Sequence, residues 1–382
     1  MTSIRESVRR MFTPVKPLPA GIYHYQAPPE DPRNYRLHLR LEPDGKGILI
    51  VNAATVLHLN PTAAEYAYHL VHTHPEDQAV AEVASRYRIG RAQIQQDYRQ
   101  FLDQIDTLIN NPEVDPTTFL DFDRSAPYSG DITAPYRLDI ALTYRLPTSS
   151  DPQAAPTDRV TRELTTSEWE QVIDKAWQVG IPHIIFTGGE PTLRDDLPDL
   201  INRAEQNGQV TGLLTNGFSL AELDYLNELL QTGLDHIMFI LYPEEQKSWQ
   251  ALTNASTEDI FVGVHLTLTP ENQNEVPSLL ERLVEYKING ISLSTSLPIL
   301  SNELQAAREQ AAKLSLSLIW DLPVPYSDQN PVAFEIEERD LPEGAGRAWL
   351  YIEPDGDVLP TQGVEQVLGN ILKDPWEKIW KS

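Results

Sequence analysis

Apolar and polar positions alternate with a period of two over residues 35–41 and 47–51, and the intervening Glu42-Pro43-Asp44-Gly45-Lys46 carries Asp-Gly turn chemistry, so the pair predicts a β-hairpin. The period then lengthens to that of a helix. Asn60-Pro61 supplies a cap and a first-position proline, and Tyr66, Leu70 and Val71 fall on one buried stripe. Two more helical stripes follow, one through Val80, Val83, Ala84 and Tyr87 and one through Ile94, Tyr98, Phe101, Leu102, Ile105 and Leu108. Residues 20–110 therefore read as a small module of strands and three helices. Between 111 and 135 the periodicity gives way to Pro, Asp and Ser, the composition of a linker.

From residue 136 the pattern changes again. Short apolar segments at 138–142, 183–186, 210–214, 236–241, 262–268 and 291–295 alternate with amphipathic stretches at 169–177, 197–204, 220–230, 248–254 and 276–286. Such repetition implies a parallel sheet with helical crossovers. Six repeats with right-handed connections suit a partial (β/α)6 barrel of the TIM type better than a small doubly wound sheet. A helix at 302–314, an extended piece at 316–320, a hairpin from 349–353 through Pro354-Asp355-Gly356-Asp357 to 358–360, and a short helix ending near Trp380 complete the chain. The expected fold class is α/β, divided into a module at 20–110, a linker at 111–135, the barrel at 136–320 and a C-terminal region at 321–382.

Composition narrows the function. The chain has 382 residues, an apolar fraction of 41% and a formal net charge of -26. The apolar fraction supports a folded core, and the charge argues against sequence-independent binding to nucleic acid or to an anionic membrane, since both need a positive surface. A positively charged peptide is compatible with it. No apolar run approaches the ~20 residues of a membrane span, and the opening MTSIRESVRRMF lacks the apolar region of a signal peptide, so the expectation is a cytoplasmic protein. The absence of cysteine removes disulfides and thiolate metal sites together.

The most distinctive turn is Gly188-Gly189-Glu190-Pro191 after the second barrel strand. Two glycines at a strand end let a backbone approach a ligand without Cβ interference, Pro191 stiffens the exit, and Glu190 would offer a carboxylate at the mouth where barrel ligands bind. Thr215-Asn216-Gly217 follows the third strand. His69, His72 and His74 cluster near one helix end. Only the first two share a helical face, so exposed or cap-region histidines are expected there rather than a metal site. Asp195-Asp196 reads as a cap for the helix beginning near Leu197. Pro323-Val324-Pro325-Tyr326-Ser327 reads as a rigid extended segment. No nucleophile–His–acid set, phosphate loop or basic aromatic stripe is evident.

Taken in order, Glu163-Leu164-Thr165-Thr166, Phe186-Thr187-Gly188-Gly189-Glu190-Pro191 and Thr215-Asn216-Gly217 resemble the radical S-adenosylmethionine (SAM) enzymes of the peptide-modifying type that carry a C-terminal SPASM domain. The likeness extends from Tyr136 to Gly344-Ala345-Gly346-Arg347, Ile352 to Val358, Leu368-Gly369-Asn370-Ile371, Trp376 and Trp380. Leu59 to Glu65 resembles a winged-helix-like PqqD module, which takes a leader peptide as an added strand. The resemblance implies that Gly188, Gly189, Glu190, Pro191, Thr215 and Asn216 face SAM, the Gly-Gly-Glu loop meeting its ammonium. It also implies that 323–327 lies beside the active site.

The departure from that family lies at its metal ligands. The three positions of its CxxxCxxC pattern fall at Leu146, Ser150 and Gln153, and Glu343 and Thr361 stand where a SPASM domain has cysteines. A [4Fe–4S] cluster needs thiolates. The expectation is therefore a cysteine-free pseudoenzyme with a truncated SPASM-like region, which binds a precursor or leader peptide or a partner maturase and holds no cluster. SAM bound without iron is the cofactor this leaves open. The alternative is a cluster-independent enzyme binding SAM or a nucleotide.

Overall fold

The computed structural model describes residues 16–28, 30–87, 89–111, 132–147, 153–320, 322–335 and 341–380. The expected linker falls mostly outside them, as does Ser150. The chain divides into two compact units, Met1–Ile132 and Thr133–Ser382.

In the first unit β1 (Gly21–Gln26), β2 (Arg36–Leu41), β3 (Gly47–Val51) and β4 (Thr55–Leu59) form an antiparallel sheet in that order. The expected hairpin is its centre, with Leu41 opposite Gly47, and Gly45 takes the left-handed φ of 88° that its turn requires. Three helices pack on the sheet: α1 (Pro61–Val71), α2 (Glu76–Tyr87) and α3 (Arg91–Asn110). Asn60 caps α1 by accepting from the Thr62 and Ala63 amides.

The buried face of α1 differs from the expected stripe. Leu70 is half-buried, whereas Glu65 and His69 are buried. Glu65 is tolerated there because Arg86 and the Tyr87 hydroxyl on α2 satisfy its carboxylate. The His69 Nδ1 lies 2.9 Å from Nδ1 of His74, so His69 is not the exposed or cap-region residue expected from sequence. Burial holds its pKa down, at about 4. Among the described residues no group of three or more His, Cys, Asp or Glu side chains is placed to hold a metal.

The second unit contains the six βα repeats. Strands β5 (Arg137–Thr143), β6 (His183–Gly188), β7 (Val210–Thr215), β8 (His236–Ile240), β9 (Phe261–Leu268) and β10 (Gly290–Thr295) run parallel in sequence order. Helices α4 (Thr166–Gln178), α5 (Leu197–Asn207), α6 (Leu223–Gln231), α7 (Gln246–Ala255), α8 (Val276–Glu285) and α9 (Ser301–Lys313) follow the strands in turn and cover the sheet's apolar face. The smaller interior cluster of Ile185, Leu214, Met238 and Ile240 faces the other way.

The C-terminal hairpin is not a separate body. β11 (Trp349–Ile352) pairs parallel with β5, Tyr351 opposite Asp139, and β12 (Asp357–Leu359) and β13 (Gly369–Asn370) extend the same sheet to nine strands. The sequence pattern places a hairpin here but does not indicate that it docks on the first barrel strand. Among the described residues no helix is long and apolar enough to cross a membrane.

Candidate functional site

Strand order brings the predicted site residues together at the C-terminal mouth, where the ends of β6 and β7 adjoin. Gly188 closes β6 with φ 124°, and Glu190 and Pro191 start the next turn. The carboxylate of Glu190 is turned into the protein rather than offered to the mouth. Its Oε1 accepts from the Thr192 amide (3.0 Å), the Thr192 hydroxyl (2.7 Å) and the Thr215 hydroxyl (2.7 Å), and its Oε2 accepts from the Asn216 amide (2.8 Å). The residue is 2% exposed. Burial pushes its pKa up, and these hydrogen bonds oppose the shift. Asn216 in turn uses its side-chain oxygen to hold the Phe218 amide.

The glycines serve a backbone contact. The amide of Gly189 donates to the Thr143 carbonyl at 2.8 Å and that of Glu190 to the Arg145 carbonyl at 3.0 Å, which carries the β5–β6 pairing beyond the strand ends. A Cβ on Gly188 would stand 2.3 Å from the Thr143 oxygen, and one on Gly189 would stand 2.5 Å from that of Arg145. The close approach read from the sequence as room for a ligand is filled by the chain itself.

Asp196 stands at the N-cap of α5 but does not cap it with its side chain. Its carboxylate binds the Arg194 guanidinium and the Thr166 hydroxyl instead.

The positions corresponding to cluster ligands fail on chemistry and on placement. Leu146 is half-buried against a group containing Ala141, Tyr144, Ala155, Tyr326 and Tyr351, while Gln153 is exposed. Glu343 is exposed, and Thr361 is buried with its hydroxyl taken by the Trp349 indole at 3.1 Å. With no cysteine in the chain, a thiolate-held cluster does not fit. Because Leu146 is only half-buried, Leu146→Ala is expected to cost roughly 1–2 kcal/mol, below the range of a fully buried leucine. Urea unfolding measures this, and an unchanged midpoint would place the side chain in solvent.

Over the mouth runs a segment, residues 322–328, that sequence reading placed only beside the site. Leu322 joins the interior cluster on β6, β7 and β8. Tyr326 donates its amide to the Gly188 carbonyl at 2.8 Å and is buried. The cavity left among Leu146, Gly189, Glu190, Asn216, Tyr242 and this strap is about 20 Å³, room for about one water.

A polar network flanks the strap. The Tyr326 hydroxyl donates to Glu335 Oε1 at 2.6 Å, Glu335 pairs with Arg159 at 2.5 Å, Arg159 lies 3.7 Å from Glu353, and the Tyr144 hydroxyl donates to Glu353 at 3.0 Å. Burial raises the Glu353 pKa to about 7. Sequence reading did not single out Tyr144, Arg159 or Glu335, and it met Glu353 only before a turn, within the Ile352–Val358 stretch that resembles a SPASM domain.

Comparison with known proteins supports the family likeness. Residues 147–283 match the model of the radical SAM superfamily. A PqqA peptide cyclase of Methylobacterium sp. (strain 4-46) is 28% identical over 260 residues, covering 58% of this chain and 66% of the relative. One of Streptomyces rochei is 25% identical over 258 residues, covering 59% and 70%. The chain thus spans about two thirds of the length of these curated relatives. In fold it is similar to Streptococcus suis SuiB bound to S-adenosylmethionine (TM-score 0.60, 16% identity, 94% of this chain and 88% of that one). It is also similar to SuiB bound to its precursor peptide SuiA (TM-score 0.57, 14% identity, with the same coverage).

Proposed function

We propose that this chain is a radical-SAM-like pseudoenzyme that binds a precursor or leader peptide, or a partner maturase, and serves as an accessory protein in peptide modification. The observation that carries the reading is the union of a complete partial barrel with a chain that has no cysteine. The barrel retains the architecture of peptide-modifying enzymes, and the ligands for their electron chemistry are gone. The first unit, read as a PqqD-like module, would take the peptide along an edge of its sheet, where β1 and β4 each have a neighbour on one side. Backbone hydrogen bonds would supply affinity, and side-chain pockets the register. The net charge of -26 favours a basic peptide. SuiB was solved with its precursor peptide, and the curated relatives are peptide cyclases. The alternative of a cluster-independent SAM or nucleotide enzyme draws support only from Glu190 and Asn216 standing at the mouth, and the Glu190 carboxylate and the Asn216 backbone amide and side-chain oxygen are already engaged.

The test is to pan a random-peptide display library on the full chain at low salt. Expected is enrichment of basic, extended sequences that bind in the micromolar range and weaken as salt rises. A library with no enrichment over a bare surface would sink the peptide reading.

A further inference from the structure

Four chain segments that bear no sequence relation to one another meet beside the barrel mouth. Tyr144 directly follows β5, Arg159 follows the stretch where cluster ligands would stand, Tyr326 and Glu335 belong to the strap and its continuation, and Glu353 follows β11. Tyr144 and Glu353 are 209 residues apart in sequence, and Arg159 and Glu335 are 176 apart. The ring of Tyr144 meets that of Tyr326 edge-on at 5.4 Å, and Tyr351 is fully buried in the same apolar group. Hydrogen bonds, two ion pairs from Arg159 and aromatic packing join these parts of the fold.

We infer that residues 322–328 are the resident occupant of the former cofactor site. In this inference the Tyr144–Glu353–Arg159–Glu335–Tyr326 network holds that strap shut, so the barrel excludes SAM. Both the space left and the polar groups already engaged leave no room for the ligand. Pockets for ligands of this size run to roughly 300–1,000 Å³, against the 20 Å³ that remains. The Gly188 carbonyl is occupied by the Tyr326 amide, and all the Glu190 contacts come from Thr192, Thr215 and Asn216. Entry of SAM would have to strip the Tyr326 amide from Gly188 and draw Leu322 out of its apolar cluster. The strap is anchored at its far side as well, since Asn330 and Gln362 both donate to the Val324 carbonyl, at 2.6 and 2.7 Å.

This inference shares with the proposed function only the loss of the cluster, and its experiment is independent of peptide binding. The metal-free full chain is titrated with SAM by calorimetry, and amide hydrogen exchange is followed at Tyr326 and Ser327, the buried strap residues whose amides donate to the Gly188 and Asn330 carbonyls. Expected are no saturable SAM binding up to millimolar ligand and strap amides slowed on the order of a thousandfold relative to an unfolded peptide. Glu335→Gln, which keeps the side-chain shape and removes the charge facing Arg159, is expected to speed exchange at the strap by roughly tenfold or more while leaving β2 and β3 unchanged. Micromolar SAM binding by the wild type, or strap amides exchanging at unfolded rates, would overturn the inference whatever the variant does. Either result would leave the outcome of the peptide selection untouched.

Discussion

Gly188→Ala is expected to destabilise the second unit by about 3–5 kcal/mol in the absence of any ligand, combining backbone strain with a forced clash. The residue has φ 124°, a conformation that side chains other than glycine rarely adopt. An added methyl would also stand 2.3 Å from the Thr143 oxygen and 3.3 Å from the Ala141 Cα, both of them main-chain atoms that cannot swing aside. Urea unfolding of the variant reads the effect directly. The result separates two roles for the glycine pair. If the glycines served only to admit a ligand, the substitution would alter binding and leave the unfolding midpoint of the free protein almost unchanged.

The second large effect concerns pH. Glu353 has a folded pKa of about 7 against an ordinary 4.5, because burial penalises its charge more than Tyr144 and Arg159 compensate. Between those two values the folded protein holds a proton that the unfolded chain has released. This contribution is therefore fully present below about pH 4.5 and is lost as the pH rises through 7. The gap between wild type and Glu353→Gln is expected to change by roughly 2.5 kcal/mol between pH 5 and pH 8, with the wild type losing ground as pH rises. Measuring the difference matters, because buried His236 and His265 act in the opposite sense. Burial lowers both to about 4, so they weaken the fold as pH falls below 6.5. Both variants carry those histidines, and the subtraction removes them. Denaturation midpoints at four or five pH values suffice, and parallel curves would show that Glu353 is ionised in the fold throughout.

The succession of elements was legible because each strand and helix writes its own period into neighbouring residues. All six barrel strands and the central hairpin of the first unit lie where alternation places them. Asn60 announced its helix by local chemistry alone. What escaped notice depends on partners far along the chain. Glu65 breaks the apolar stripe of α1, and only Arg86 and Tyr87 on the next helix make its burial tolerable. The docking of Trp349–Ile352 beside Arg137–Thr143 leaves no mark in either segment. At the site, the sequence located Gly188, Glu190, Thr215 and Asn216 at one mouth, but it could not tell a carboxylate waiting for a ligand from one already satisfied. That distinction lies in Thr192, Thr215 and Asn216 and in the strap bonded to Gly188.

The proposed pseudoenzyme keeps a barrel of this architecture and lacks metal chemistry. The most direct measurement is anaerobic reconstitution of the full chain with iron and sulfide, followed by metal analysis and assay of SAM with dithionite. The account expects iron and sulfide at buffer background and no deoxyadenosine formed. A stoichiometric iron–sulfur cluster that supports reductive cleavage of SAM would contradict it.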